Sequence, residues 1–196
     1  MGVVDGRIWP PYEAFYIQGM LFNAQSAFRS IARISHAFDN LSDDVEEKGF
    51  DRIFTQVILN DMQNIIVHGA ALSRYFWPIR KGHEERACHL RVSLKIDESN
   101  PLYSRELRNA IEHFDERLDS YLSKGIVGVV IPEYVGPKPG DGGVPGHLFR
   151  AFFNDVGEFR LLDSEHKMDP IVTEIIRIKE LLEKADENGS RLPSGK

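Results

Sequence analysis

The chain has 196 residues, 42% hydrophobic and 28% charged, with 24 Lys plus Arg against 30 Asp plus Glu and a formal charge of −6. That length buries a core and fits one domain with or without an appendage, and the composition excludes disordered, collagen-like and disulfide-scaffold classes. Cys88, the single cysteine, forms no internal disulfide and points to a reducing cytoplasm, while the net acidity argues against indiscriminate binding to nucleic acid or anionic lipid. Met1–Gly6 lacks the basic-then-apolar pattern of a secretory leader, and Gly6 stands where a myristoylation signal needs Ser or Thr. No apolar run approaches the roughly 20 residues of a membrane helix, so no membrane association is expected.

From Pro11 to about Asn40, apolar residues recur at helical spacing: Phe15, Leu21, Phe28, Ile31, Ile34 and Phe38. Pro10 and Pro11 suit a first turn, where no amide hydrogen is missed. A turn over Asn40–Ser42 precedes a second helix, capped by Ser42 or Asp43 and running to about Phe76. Trp77-Pro78 stops it, because the residue before proline is pushed out of helical geometry. A short third helix is expected from about His83 to Ile96. Asn100-Pro101 then breaks the chain before a fourth, Leu102 to about Leu122, closed by Gly125. Two long and two shorter helices joined by short turns predict a bundle.

After Gly125 the period changes. Ile126–Ile131 is a β-branched apolar run suited to a strand. Val135–Gly146 holds eight Gly or Pro in twelve residues and reads as a loop. Leu148–Phe153 and Glu158–Leu162 flank Asn154-Asp155-Val156-Gly157, which reads as an antiparallel hairpin. Asp169-Pro170 opens a last helix carrying Ile171, Ile175, Ile178 and Leu182, and Ala185–Lys196 is a polar tail that should fray. The expected protein is mainly α. A helical bundle spans residues 1–125, a small antiparallel β-hairpin and a C-terminal helix pack on it over 126–187, and a disordered tail covers 188–196.

Several familiar chemistries lack their residues. The Gly-rich segment 136–146 has neither the Gly-x4-Gly-Lys-Ser/Thr nor the Gly-x-Gly-x-x-Gly spacing, and only its Lys138 is suited to a phosphate. Seven histidines invite a metal, yet Glu-x-x-His and His-Glu-x-x-His are absent, and His83, Cys88 and His89 do not make a zinc cluster. His68, in an apolar stretch, reads as a hydrogen-bonded core or interface residue. His36 reads as a cation at a helix end. A nucleophile elbow is missing as well.

One segment of the fourth helix does carry a chemical pattern. On a helical wheel, Leu107, Ile111, Phe114, Leu118 and Tyr121 form an apolar stripe expected to face the bundle, leaving Arg105, Asn109, Glu112, His113 and Glu116 on the other side. Asn109 and His113 are one turn apart and can touch. Arg108 and His113, five residues apart, stand about 140° round the helix and ~7.5 Å along it, framing a polar face rather than pairing. Histidine passes protons near neutral pH and arginine grips a phosphate with a two-pronged fork. With Asn109 to orient the imidazole or a ribose hydroxyl, these are the minimum for metal-free RNA cleavage by the 2′-hydroxyl. The same residues also suit a solvated helix face laced by pairs such as Glu112 with Arg108.

Arg108-Asn109-Ala110-Ile111-Glu112-His113 resembles the Arg-x4–6-His signature of HEPN (higher eukaryotes and prokaryotes nucleotide-binding) domains, including the polar residue that often follows the arginine. HEPN domains are four- or five-helix bundles with two long leading helices and the motif on a late helix, an order similar to that of residues 11–124 here. The resemblance implies a homodimer whose motif faces form a shared cleft. In active members the cleft is a metal-independent RNase, often a toxin or defence effector. Carried over, Arg108 polarises the scissile phosphate, His113 is the general acid/base and Asn109 assists. RNA or a nucleotide, and an antitoxin or regulatory protein, are the implied partners; no cofactor or metal is implied. Other members are non-catalytic modules for dimerisation or for nucleotide or protein binding.

Arg74–Arg108 contributes eight Lys or Arg against five acids, which favours RNA there. Within it the loop Trp77–Glu85 is expected to line the cleft through Arg80 or Lys81, with Arg105 as a further substrate contact. Tyr75, Phe76 and Trp77 are suited either to stacking on a base or to the core. The acids Glu112, Asp115 and Glu116 around the motif work against RNA and favour a binding module.

Overall fold

The computed structural model describes residues 3–4, 7–41, 50–104, 106–140 and 146–193. The chain is mainly helical, with a small mixed sheet. In order, its elements are strands β1 (Val3–Val4) and β2 (Arg7–Ile8), helices α1 (Pro10–Asp39), α2 (Arg52–Phe76), α3 (Glu84–Leu94), α4 (Glu106–Glu112) and α5 (Phe114–Ser123), strands β3 (Val129–Gly136), β4 (Gly146–Phe153), β5 (Glu158–Leu161) and β6 (Ser164–Lys167), and helix α6 (Asp169–Glu187). They form two compact units: Met1–Arg29, Val67–Arg105 and Pro170–Lys196 in the first, Ser30–Ile66 and Glu106–Asp169 in the second. Among the described residues no helix is long and apolar enough to cross a membrane.

In the first unit the helical period sets the core. Ile17, Met20 and Ala24 of α1, Leu72 and Phe76 of α2, Leu90 and Leu94 of α3, and Ile175, Ile178 and Leu182 of α6 are sealed from solvent. Each large side chain so buried contributes about 1.5–3 kcal/mol of transfer free energy. At Gly69 of α2 an added Cβ would lie 3.3 Å from Ile175 Cδ1 and 3.5 Å from Leu102 Cδ2, so a side chain there would force these neighbours apart. Glu174 of α6, itself buried, accepts both Arg177 Nε and Nη2 at 2.7 Å, and Arg177 Nη1 donates to the Leu94 carbonyl at 3.0 Å. The Leu94 carbonyl at the end of α3 is thereby met from α6.

Two short segments depart from expectation. Val3–Val4 and Arg7–Ile8 pair antiparallel as β1–β2, and Ile8 is buried and donates its amide to His89 Nδ1 at 2.7 Å. At the other end, the fraying expected over Ala185–Lys196 does not hold as far as Pro193. The buried Glu13 carboxylate accepts Arg191 Nε and the Leu192 amide, both at 2.9 Å, and Leu192 is 8% exposed. Replacing Glu13 by Ala should leave that buried amide unmet and cost about 1–3 kcal/mol. Limited proteolysis should then release residues after Glu187; a tail that stays protected would show the carboxylate is not its anchor.

The second unit joins helix ends to the sheet. Phe54 donates its amide to Asp51 Oδ1 at 2.8 Å, which caps α2 at Arg52, so the helix starts later than expected; Ser42 and Asp43 lie outside the described residues. Phe38 meets Phe50 and Phe54 edge-on at 5.9 and 5.7 Å and tilts against Phe152 of β4 at 6.1 Å. Asp61, buried, pairs with Arg33.

The sheet order is β3-β4-β5-β6. The expected β4–β5 hairpin is present, turning at Gly157 with φ 63°. The wholly antiparallel sheet is not: β3 runs parallel to β4, pairing Val129 with Gly146 through Gly136 with Phe153. A parallel return cannot be made by a tight turn and needs a longer crossover. The Gly/Pro-rich segment lies between the two strands in sequence, and the edge position of β3 tolerates Pro132. A fourth strand, β6, follows Leu162 (φ 55°) and pairs antiparallel with β5. Its Ser-Glu-His-Lys composition shows no apolar alternation, which is why the sequence pattern missed it.

Candidate functional site

The single helix expected over Leu102–Leu122 is two. α4 ends at Glu112, His113 leaves helical geometry with φ −117° and ψ 35°, and α5 restarts at Phe114. The ladder bridges the break: the His113 amide reaches the Asn109 carbonyl at 3.0 Å and the Arg117 amide reaches the His113 carbonyl at 3.1 Å. The wheel angle between Arg108 and His113 therefore does not carry through the break.

Side chains of the sheet hold α5 after the break. Phe114 packs edge-on against Phe149 at 5.3 Å, with the Arg150 guanidinium 4.7 Å from its ring centroid. Arg117 Nη2 donates to Ser164 Oγ at 3.0 Å, and Lys124 pairs with Asp163 at 3.2 Å. Tyr121 donates its hydroxyl to His147 Nδ1 at 2.6 Å, while His147 Nε2 donates to the Val127 carbonyl at 3.1 Å. A carbonyl only accepts, so Nε2 carries the proton and Nδ1 is the acceptor. Phe114 and Tyr121 thus meet strand β4 rather than a helical neighbour, and no residue of α5 is fully buried.

Leu122 aside, the exposed residues of α4 and α5 are polar. Asn109, Glu112, His113 and Glu116 are all exposed, and His113 Nδ1 lies 3.6 Å from Glu116 Oε2. The chain at Arg108 runs within α4; its side chain, that of Leu107 and all of Arg105 lie outside the described residues. Arg80 and Lys81 are exposed in the turn after α2 and belong to the first unit, whereas Arg108, Asn109 and His113 belong to the second. Phe76 and Trp77 are core residues, 0% and 9% exposed, and Tyr75 turns to Tyr16 and Arg86, so burial rather than base stacking describes Phe76 and Trp77.

Lys138 is occupied too. Its Nζ lies 2.7 Å from both Glu158 and Glu165, and its amide donates to Asp155. These bonds pin the crossover loop, and its carboxylate partners raise the Lys138 pKa, so the ammonium serves the fold rather than a phosphate. Among the described residues no group of three His, Cys, Asp or Glu is placed to hold a metal ion.

No family model, curated protein or solved structure matches the chain.

Sequence reasoning missed His166 on β6. Its Nε2 is sealed from solvent without a hydrogen-bond partner, and the charges of Glu106 and Arg117 act on the ring. Nothing in Ser164–Lys167 marks it; the register of β6 sets it opposite Phe159, two residues from Ser164, which Arg117 of α5 touches. Burial holds the His166 imidazole below the ordinary histidine range, and does the same to His68, bonded to Asn23, and to His89. All three bind fewer protons folded than unfolded, so stability rises with pH. Their contribution is complete above the unfolded value of about 6.5 and is lost as pH falls from there through the lowered folded values. The urea midpoint should therefore drop between about pH 7.5 and 5.5; an unchanged midpoint would contradict this.

Proposed function

We propose that the chain is a HEPN-type, metal-independent endoribonuclease of the toxin or defence kind, acting as a homodimer. The observation that supports it best is the Arg108–His113 signature placed where a helix breaks, with His113 and Asn109 outward and one turn apart. In the reaction the 2′-hydroxyl oxygen of a ribose attacks its own 3′-phosphate, and the bond from phosphorus to the next 5′-oxygen breaks. His113 takes the hydroxyl proton or returns one to the 5′-oxygen, Arg108 stabilises charge on the phosphate, and Asn109 orients the imidazole or the ribose. A second copy related by a two-fold axis completes the cleft. Arg80, Lys81 and Arg105 are the proposed further contacts to RNA.

A second reading is favoured by the acids at the motif. Glu116 stands 3.6 Å from His113, and Glu112 and Asp115 are exposed beside it. That charge suits a non-catalytic dimerisation, nucleotide- or protein-binding module of the same family. Bulk RNA incubated in EDTA with wild type, Arg108→Ala and His113→Ala separates the two. Cleavage by wild type that both substitutions remove supports the RNase; identical RNA profiles for all three favour the module. A strict monomer on sizing columns would contradict both, since each requires a dimer.

A further inference from the structure

Ile8 donates its backbone amide to a side chain rather than to a carbonyl. The amide nitrogen lies 2.7 Å from His89 Nδ1, where β2 packs on α3, and Ile8 is 1% exposed. A backbone amide only donates, so Nδ1 must keep a free lone pair; the ring is then neutral, with its proton on Nε2. A second proton on Nδ1 would set N–H against N–H and leave the buried amide without an acceptor.

Two other histidines bonded through Nδ1 escape that choice. His68 meets the side-chain amide of Asn23, and His147 meets the hydroxyl of Tyr121. An amide group can turn over and a hydroxyl can rotate, so each can serve either protonation state. The Ile8 amide can do neither. The next residues cannot share its task, because Pro10 and Pro11 carry no amide hydrogen and Tyr12 donates back to the Trp9 carbonyl at 2.7 Å.

The surroundings keep the ring neutral. Burial and the charge of Arg7 on β2 disfavour the imidazolium, Glu13 of α1 favours it, and burial prevails. Glu13 is itself committed to Arg191 Nε and the Leu192 amide, both at 2.9 Å. On α3, Glu85 and Arg86 stand one turn before His89, and the Arg86 guanidinium lies over the Tyr16 and Tyr75 rings at 5.6 and 5.8 Å.

We propose that this bond is a proton-operated latch: protonation of His89 frees Ile8 from α3, and with it the strand pair β1–β2. The latched form excludes the proton and the released form takes it up, so release grows as pH falls. Below the ordinary histidine value of about 6.5, the ratio of released to latched chain rises by up to about tenfold per pH unit, until the lowered value of the latched ring is passed. The latch stands whether or not the chain cleaves RNA.

Amide hydrogen exchange of the full chain tests it, read by NMR from about pH 7.5 to 5 beside the His89 ring resonances. Protection of Ile8, normalised to its intrinsic rate, should fall by up to about tenfold per pH unit in step with the ring titration. Ile178, in the core of α6, should stay protected throughout. His89→Asn sets an uncharged oxygen acceptor near the place of Nδ1 and should make Ile8 protection independent of pH. His89→Ala should leave it weak at every pH, and His36→Asn, exposed near the end of α1, should change nothing. Ile8 protection that holds while the ring titrates, or a ring that stays neutral down to about pH 5, overturns the latch. So does an unaltered pH slope in His89→Asn, full protection in His89→Ala, or loss of Ile8 and Ile178 protection together.

Discussion

Replacing His113 by Ala is expected to lower RNA cleavage by about 10²- to 10⁴-fold, the usual contribution of a positioned acid or base. Loss of one donor to a developing charge costs roughly 10²- to 10³-fold, which sets the expectation for Arg108→Ala. His113 is exposed at a break between two helices, and its backbone bonds do not depend on the imidazole. Substitution there should leave stability within about 0.5 kcal/mol of the wild type, so lost activity would reflect chemistry rather than unfolding. Asn109→Ala should have a smaller effect, because it orients rather than transfers. Measured initial rates in EDTA, beside thermal unfolding of each variant, decide the matter. Undiminished cleavage by His113→Ala would remove the histidine from the mechanism.

The largest stability effect is expected at Phe159. It is fully buried in β5, between Phe152 of β4 and His166 of β6 in the register. Truncation to Ala removes a ring that the surrounding sheet cannot replace by collapsing, at a cost of about 3–5 kcal/mol. At roughly 2–4 °C per kcal/mol for a chain of this size, Tm should fall by about 6–20 °C. Phe159→Leu retains apolar volume and should fall less. Because β4 and β6 hold α5 through Phe149, Arg150 and Ser164, the truncation should also loosen the motif helix. Calorimetry checks the size of the effect; a Tm within a degree or two of wild type would show that the sheet core is not centred there.

Much of this architecture can be read directly from the residues. Helical periodicity locates α1 and α6 closely, and Ile175, Ile178 and Leu182 are buried as their spacing predicts; of the face expected for α1, Leu21 and Ile34 are buried but Phe15 is 77% exposed, and Ile17, Met20 and Ala24 seal the core instead. The β4–β5 hairpin follows from two apolar runs around Asn154–Gly157. Other features depend on partners far away in sequence. The break at His113 interrupts an uninterrupted helical pattern, and α5 is then fastened to side chains 26 to 47 residues further on, at His147, Asp163 and Ser164. The parallel pairing of β3 with β4 is not marked by strand composition.

The candidate site divides in the same way. Asn109 and His113 announce themselves as polar residues one turn apart, and both are outward-facing. Arg117, though inside the motif segment, shows its role only through Ser164. Arg150 and His166 carry no local signal, because what singles them out is a buried nitrogen without a partner. Tertiary register, not spacing along the chain, sets their surroundings.

The most direct measurement is the chemistry of the ends left on RNA cut in the presence of EDTA. Attack by the 2′-hydroxyl through Arg108 and His113 predicts 2′,3′-cyclic phosphate and 5′-hydroxyl termini, absent from digests with either Ala variant. RNA left intact by the wild type, or cut to 3′-hydroxyl ends, would contradict the account.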